Sequence, residues 1–464
     1  MKDAICAIST APGLGAIAVV RVSGYNSIDI VDSIFQSVRR NFTLKEAKTH
    51  TAHFGRLLYD DGSVLDEVVA TVFFAPNSYT GEDSVEISCH GSVFIQYEIL
   101  KLLLSHGCRM AMAGEFTQRA FANGRMDLSQ AESVADLIAS QNRASHRLAM
   151  NQMRGGFSKE LQILRDRLLT FTSLVELELD FADHEELEFA DRSELKVLAS
   201  EIEQKIGRLR NSFSVGNAIK NGIPVSIVGE TNAGKSTLLN LLLKEEKAIV
   251  SDVHGTTRDV IEDTVTINGM QFRFIDTAGL RDTTDKVEKI GIERSYREIE
   301  KAVVVLWVVD ASQSIQHSGE LAGKIKQHLS DQKLIIVINK MDLIDEEKRK
   351  EISEYYKQYS ENQIFISAKN AANTDEVESV LVQSAQIPVV RDGDVMVTNI
   401  RHYEALKNAY SAILRVQQGL DDNISGDFLS QDIRECIYHL GEITGEITTD
   451  EVLGNIFSKF CIGK

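Results

Sequence analysis

The stretch IPVSIVGETNAGKSTLLNLLL, residues 223–243, constrains the fold more than any other part of the chain. An apolar run leads into a loop fitting G-x-x-x-x-G-K-[ST], and a leucine-rich segment follows. Strand, glycine loop and helix in that order are the context such a loop needs. Backbone N–H groups of the loop and of the helix N-terminus then surround phosphates. Lys235 is placed to neutralise β/γ charge, and Ser236 to offer an oxygen to Mg²⁺. Around this unit the apolar runs QFRFID, AVVVLWVVD, KLIIVINK and QIFISAK alternate with helical segments. Near-continuous apolar strands separated by helices predict a largely parallel sheet covered on both faces.

Three further motifs end strands of that sheet. DTAG (Asp276, Thr277, Ala278, Gly279) supplies a carboxylate near the magnesium shell and a backbone N–H for a γ-phosphate. NKMD (Asn339, Lys340 and Asp342) places a carboxylate that can accept from N1–H and the N2 amino group of guanine, a pair adenine lacks. SAK (Ser367, Ala368, Lys369) offers a backbone amide to the guanine O6. GTTRD lies between the first two elements, with Thr257 a second magnesium ligand. Four elements in this order, each at the C-terminal edge of a strand, predict a GTPase. The residue after the DTAG glycine is Leu280, which cannot orient a water as the glutamine of Ras does. Glu288 is the sharpest replacement, with Asp282 and Asp285 as rivals, and no arginine finger is evident, although Arg258 and Arg281 are at hand. The Asn232 amide oxygen could hold a monovalent cation beside the phosphates, with carbonyls from SDVHGTT completing its shell.

The rest of the chain has two other textures. Residues 1–118 mix β-rich runs (AIAVVRVSG, EVVATVFFA, SVEISCHG) with one helix, SVFIQYEILKLLLSHG. Residues 119–216 and 387–464 carry helical spacing, with Asp127 or Ser129 as an N-cap. The expected architecture is a multi-domain α/β protein. An α+β N-terminal domain precedes a discontinuous helical domain into which a Ras-like P-loop G domain, residues 217–386, is inserted. A net charge of −18 opposes non-specific binding to nucleic acid, so any RNA contact needs a local patch such as RASHR or VRR, although solvated faces are their default. Five widely spaced cysteines without a CxxC pair fit a reducing compartment, and no apolar run reaches membrane-span length. A cytoplasmic protein is expected. The terminal CIGK is a poor prenylation box, because Gly463 and Lys464 occupy positions that such boxes fill otherwise.

Taken together, GAIAVVRVSG, SYTGEDSVEISCHGS, GEFTQRAFANGRMDLSQAE, TNAGKST, GTTRDV, DTAGLR, EKIGIERS and the final FCIGK resemble the MnmE (TrmE) family of tRNA-modification GTPases over the whole chain. The resemblance implies a GTP hydrolase that works with the flavoprotein MnmG (GidA). Together they add an aminomethyl or carboxymethylaminomethyl group to carbon 5 of the wobble uridine of certain tRNAs. It also implies a homodimer formed through a tetrahydrofolate-binding N-terminal domain. Carried onto this sequence, Arg21, Glu86, Arg125 and Lys464 would contact a formyl-tetrahydrofolate, with arginine at 125 where many relatives have lysine. Ser236 and Thr257 would hold magnesium. Asn232, Ser251, Val253 and Thr256 would hold potassium, Ser251 and Val253 through their carbonyls. Glu288 would orient the hydrolytic water. The nucleotide site would comprise Asn232, Ala233, Gly234, Lys235, Ser236 and Thr237, the loop Ser251, Asp252, Val253, His254, Gly255, Thr256 and Thr257, and the three strand-end motifs. His254 stands where relatives often have a small residue.

Cys461 has two readings: a nucleophile toward the uridine or a folate intermediate, or a buried small hydrophobe at a helix end. The other four cysteines are read as packing residues, His90 as structural rather than catalytic, and Trp307 as core. The rival function class is a regulatory switch GTPase that does no chemistry beyond GTP. The folate-like N-terminal segment and the terminal cysteine argue against it.

Overall fold

The computed structural model describes residues 3–180, 192–244, 263–275, 299–313, 319–385, 391 and 393–463. The chain divides into two compact units, each assembled from separated segments. One comprises Met1–Ile138, Met150–Ile206 and Ala405–Lys464; the other Ala139–Ala149 and Gly207–Glu404.

The first unit is built on a seven-stranded sheet. Its strands are β1 (Ala4–Ile8), β2 (Ile17–Ser23), β3 (Phe35–Ser37), β4 (Thr51–Leu58), β5 (Val64–Phe73), β6 (Ser84–His90) and β7 (Cys108–Met110), in the order β3-β4-β5-β6-β2-β1-β7. Neighbours are antiparallel except β1 and β7. Side chains alternate: in β5, Asp66, Val68, Ala70 and Val72 are buried while their neighbours are not. The helices Ser27–Ile34 and Val93–Ser105 bury Ile28, Val31, Ile99 and Leu103 against Cys6, Val20, Val22 and Ile87 on one face. Across β1, Ile5 and Ala7 face the other way and pack with Ala111, Phe116 and Tyr79. Ser27–Ile34 and Glu115–Ala122 are helices beyond the one expected in this segment. Two turns give too few repeats for a helical period to stand out from the strands around them.

The same unit holds the apolar stripes of four long helices, buried at every third or fourth position. These are Leu161, Leu164, Leu168, Phe171 and Val175 in Gly156–Asp180; Leu195, Ala199, Ile202 and Ile206 in Arg192–Asn211; Leu406, Ala409, Ile413, Val416 and Leu420 in Ile400–Asp421; and Leu429, Ile433, Cys436, Leu440 and Ile443 in Gly426–Thr444. Gly156–Asp180 and Gly426–Thr444 pack side by side, with Arg434 and Glu176 paired at 2.6 Å on their exposed margin. Each buried leucine contributes roughly 1.5–3 kcal/mol, whereas an exposed pair such as this contributes under about 1 kcal/mol. The apolar stripes therefore hold these helices. At the start of Leu128–Ala139, the Asp127 carboxylate accepts from the Gln130 N–H at 2.9 Å, settling the cap on Asp127.

The second unit carries a six-stranded sheet ordered β13-β12-β11-β8-β10-β9, from β8 (Ile223–Gly229), β9 (Asp263–Ile267), β10 (Met270–Phe274), β11 (Val304–Asp310), β12 (Lys333–Asn339) and β13 (Gln363–Phe365). All pairs are parallel except the β9–β10 hairpin. That hairpin turns on Asn268 and Gly269, both at positive φ (50° and 77°), the pair a two-residue turn of this twist needs. Every residue of β11 is buried. Val304, Leu306 and Val308 enter one core, and Val305, Trp307 and Val309 the other, so both faces of the sheet are covered. Among the described residues no helix is long and apolar enough to cross a membrane.

Candidate functional site

β8 ends at Gly229, whose φ is +152° and where a Cβ would lie 2.2 Å from the Val308 carbonyl oxygen. Only glycine fits between β8 and β11 there. The chain then loops over, with Asn232 in the left-handed region at φ 61°, and enters the helix Lys235–Lys244. The Lys235 ammonium turns back to donate to the carbonyls of Gly229 (2.8 Å) and Glu230 (2.6 Å). Burial lowers its pKa, against an opposing pull from Glu230. A desolvated ammonium held only by carbonyls gains most when an anion arrives. Ser236 is half-buried behind it and Thr237 is exposed.

One side chain joins three of the motifs. Asn339, at the end of β12 and 3% exposed, donates from Nδ2 to the Ala233 carbonyl of the phosphate loop at 2.8 Å. Its Oδ1 accepts from the Lys340 N–H at 2.8 Å and from the Ala368 N–H of SAK at 2.9 Å. The fit is tight: a Cβ on Gly234 (φ 98°) would sit 2.1 Å from Asn339 Nδ2. The Met341 N–H donates to the Ile366 carbonyl at 3.0 Å, a second tie between the NKMD and SAK loops. Lys340 is left-handed at φ 66°, a conformation that costs a non-glycine residue about 1–2 kcal/mol and persists where its surroundings impose it. Asp342 is exposed in the short turn Met341–Leu343. Ser367 is buried, with backbone bonds of 3.1 Å to and from Ala372, and Lys369 is exposed. The Ala368 amide, one of those expected to face guanine, is turned to Asn339. Ser251, Asp252, Val253, His254, Gly255, Thr256, Thr257, Asp276, Thr277, Ala278, Gly279, Glu288 and Lys464 lie outside the described residues.

A second constellation forms on the sheet of the first unit. Arg21 of β2 and Glu86 of β6 are direct cross-strand partners, with Nε and Nη2 donating to Oε1 at 3.0 and 2.9 Å. The guanidinium lies 5.1 Å from the Tyr79 ring centroid and 5.5 Å from that of Phe116. Burial pushes the Tyr79 phenol up, and its hydroxyl meets Thr117 Oγ1 at 2.8 Å. The end of the chain returns to the same place. Ile462 pairs with Ala113, the Gly114 N–H donates to the Cys461 carbonyl at 3.4 Å, and Ser9 Oγ donates to the Gly463 carbonyl at 3.1 Å. Gly463 (φ 97°) is needed there, because a Cβ would sit 2.2 Å from the Ile8 carbonyl oxygen. Cys461 is exposed. That corrects the reading of it as a buried hydrophobe: the bridge holds the backbone on the sheet unit and leaves the thiol to solvent. Arg125, also exposed, lays its stem against Gly81, its Cγ 3.1 Å from where a Cβ would stand.

Two family models cover the chain: "GTP-binding protein TrmE N-terminus" over residues 4–125 and "MnmE helical domain" over residues 128–461. The protein named tRNA modification GTPase MnmE from Bacteroides thetaiotaomicron is 58% identical over 467 residues, covering 100% of both chains. Its namesakes from Parabacteroides distasonis (56% identical, 99% of both chains) and Flavobacterium johnsoniae (51%, 100% of this chain and 99% of that one) align over the same extent. This chain belongs to the MnmE family.

Sequence reasoning passed over one feature of this MnmE chain. Beside the Arg21 constellation lies a buried ion cluster. Glu115 and Arg119, each 1% exposed, pair at 3.0 Å. Arg109 holds both Glu115 oxygens at 2.7 and 3.0 Å, and Arg119 also meets Asp3 (2.9 Å) and Glu82 (3.3 Å). Burial raises the Glu115 pKa, but the bonds from Arg109, the Met112 N–H and Arg119 outweigh it, and the net shift is downward. The signal was in GEFTQR, where glutamate and arginine stand four apart on one helix face. His90, read as structural rather than catalytic, places its Nδ1 2.7 Å from the buried Asp66 carboxylate. Cys6, Cys89, Cys108, Cys436 and Trp307 are buried, as expected of packing residues.

Proposed function

We propose that this chain is a GTP hydrolase acting in modification of the wobble uridine of tRNA, with the MnmG flavoprotein as partner. The observation that carries the nucleotide half is Asn339, which ties the phosphate loop to both base-reading loops through one amide. The Gly234 cradle and the ammonium of Lys235 fit a polyphosphate. Ser236 and Thr257 would hold magnesium. Asn232, Ser251, Val253 and Thr256 would hold potassium, and the two ions would neutralise phosphate charge. Glu288 would hold the attacking water. Lys340, Asp342 and the SAK loop would read guanine.

For the modification half, Arg21 with Glu86 and the flanking rings of Tyr79 and Phe116 fit a ligand that is both planar and anionic, and Arg125 and Lys464 would pair with its charges. A formyl-tetrahydrofolate bound there would supply a one-carbon unit. Cys461, exposed on a tail anchored beside Phe116, would serve as the nucleophile. Self-association through the N-terminal domain is supported by the exposed Leu14, Ile17, Val93, Phe94 and Tyr97, brought together where the Gly15 N–H donates to the Gly91 carbonyl. We assign the domains as residues 1–118, 119–216 with 387–464, and 217–386, and place the protein in the cytoplasm. The test is Asp342→Asn. It should lose GTP affinity by about 5–150-fold, the worth of about 1–3 kcal/mol of hydrogen bonding, and gain xanthosine triphosphate hydrolysis. Unchanged GTP affinity would refute the guanine reading.

A further inference from the structure

We infer that Asp310 is a positioning residue for guanine-nucleotide binding, acting through Lys340. The inference rests on the nucleotide reading given above and extends it to a residue outside the recognised motifs. Asp310 closes β11 and is 6% exposed. Its two oxygens do different work. Oδ1 accepts from the Ser312 N–H (3.0 Å) and Ser312 Oγ (2.6 Å), fixing the turn that leaves the strand. Oδ2 accepts from the Lys340 ammonium at 2.5 Å, across to the loop after β12.

The strands already align these ends. Asp310 and Asn339 are register partners, and the Ala311 N–H donates to the Asn339 carbonyl at 2.9 Å. The backbone therefore brings the two loops together, and the ion pair then restrains the lysine side chain. Lys340 needs restraint, because it is a left-handed non-glycine residue two positions before Asp342. Asn339 fixes one end of NKMD by holding the phosphate loop and SAK. Asp310 fixes the next residue by its side chain. Asp342 itself is exposed and lies two positions beyond Lys340, in the turn that these contacts lead into. Burial raises the Asp310 pKa, yet the bonds from Lys340 and Ser312 bring it below the ordinary range. The group is thus a carboxylate at neutral pH, a fixed counter-charge for the ammonium.

The alternative is that Asp310 merely stabilises the strand end. A purely structural residue affects folding whether or not Lys340 is present; a positioning residue loses its effect once Lys340 is gone. The experiment is a double-mutant cycle on the full chain with Asp310→Asn, Lys340→Gln and the double variant. It is read by titration with a fluorescent GDP analogue, by kcat and KM for GTP, and by thermal unfolding without nucleotide. Asparagine keeps the Ser312 bonds and removes the charge. We expect each single variant to weaken GDP binding and raise KM about tenfold, with kcat within twofold, and the double variant to be no weaker than the worse single one. Additive losses in the double variant overturn the inference. So does wild-type affinity in Asp310→Asn, or an affinity loss fully accounted for by a lower melting temperature. Asp342→Asn runs alongside as the control for the parent reading. If it switches to xanthine while Asp310→Asn is silent, only the present inference fails. If it keeps wild-type GTP preference, the guanine reading fails and this inference with it.

Discussion

The two sheets of this protein place chemistry in opposite ways. In the six-stranded sheet the central strands β8, β11 and β12 are buried on both faces, so no open face is available there and the reactive groups gather where strands end. Each motif is therefore short and contiguous: a strand, then the loop that follows it. In the seven-stranded sheet the second site lies on a face. It is assembled from Arg21, Tyr79, Glu86 and Phe116 and from the tail at residues 461–463, positions scattered across the whole length of the chain. A parallel sheet confines function to its rim and so writes it into local sequence. A sheet with an open face draws function from anywhere in the chain.

The comparison predicts unequal sensitivity, and the largest effect belongs at the rim. Gly234→Ala puts a methyl 2.1 Å from Asn339 Nδ2 in a left-handed backbone, so either the phosphate loop or the amide must move. Nucleotide affinity should fall more than about 100-fold, roughly 3 kcal/mol, in equilibrium titration with labelled GDP. Affinity within threefold of wild type would break the claim that one amide locks the rim together.

On the face side the comparable lesion is one of stability. Glu115→Gln leaves Arg119 buried with weaker partners and should cost about 3 kcal/mol in denaturant unfolding, the lower end for a broken buried pair, because Asp3 and Glu82 remain. The carboxyl is held below its ordinary pKa in the folded state. Its contribution is therefore complete above the unfolded value of about 4.3 and fades as pH falls through the folded value. Wild-type protein should lose stability steeply below about pH 4, and Glu115→Gln should show a shallower slope there. Parallel acid profiles for the two proteins would remove this cluster from the account.

Two smaller effects sharpen the division. Replacing K⁺ by Na⁺ should slow GTP hydrolysis on the order of tenfold with little change in nucleotide affinity, since the ion would act on charge that develops during reaction. Asn232→Ala should abolish that salt response; a variant that keeps it would take Asn232 out of the cation site. The smallest effect expected on GTP turnover is that of Cys461→Ser, within about twofold, while wobble modification measured by nucleoside mass spectrometry of whole-cell tRNA is lost because a hydroxyl is a far weaker nucleophile than a thiolate. Full modification by the serine variant would assign the tail an anchoring role only.

Legibility in the sequence followed the same division. Lys235, Asn339 and SAK could be found because each sits in a few consecutive letters flanked by a strand, and the parallel sheet followed from its apolar runs. Nothing local announced that Arg21 faces Glu86, or that the tail pairs with Ala113; those residues entered only through resemblance to a family. The two readings of Cys461 stayed open for a related reason: a helix-end pattern carries no information about which far segment the chain will pair with. Asp310 was overlooked because an aspartate closing an apolar strand looks like any strand end. Its partner becomes visible only once β11 and β12 lie in register.

The segmented composition of the first unit has a consequence for synthesis. The leucine stripe of Gly156–Asp180 packs on Gly426–Thr444, a helix made about 250 residues later. At roughly 5–20 residues per second a ribosome needs about ten to fifty seconds to cover that distance. The larger segment of the second unit, Gly207–Glu404, is made in the meantime. During that interval a nascent chain carries Leu161, Leu164, Leu168 and Phe171 without the surface that covers them in the finished molecule, and a chaperone that recognises apolar helices has its longest opportunity there.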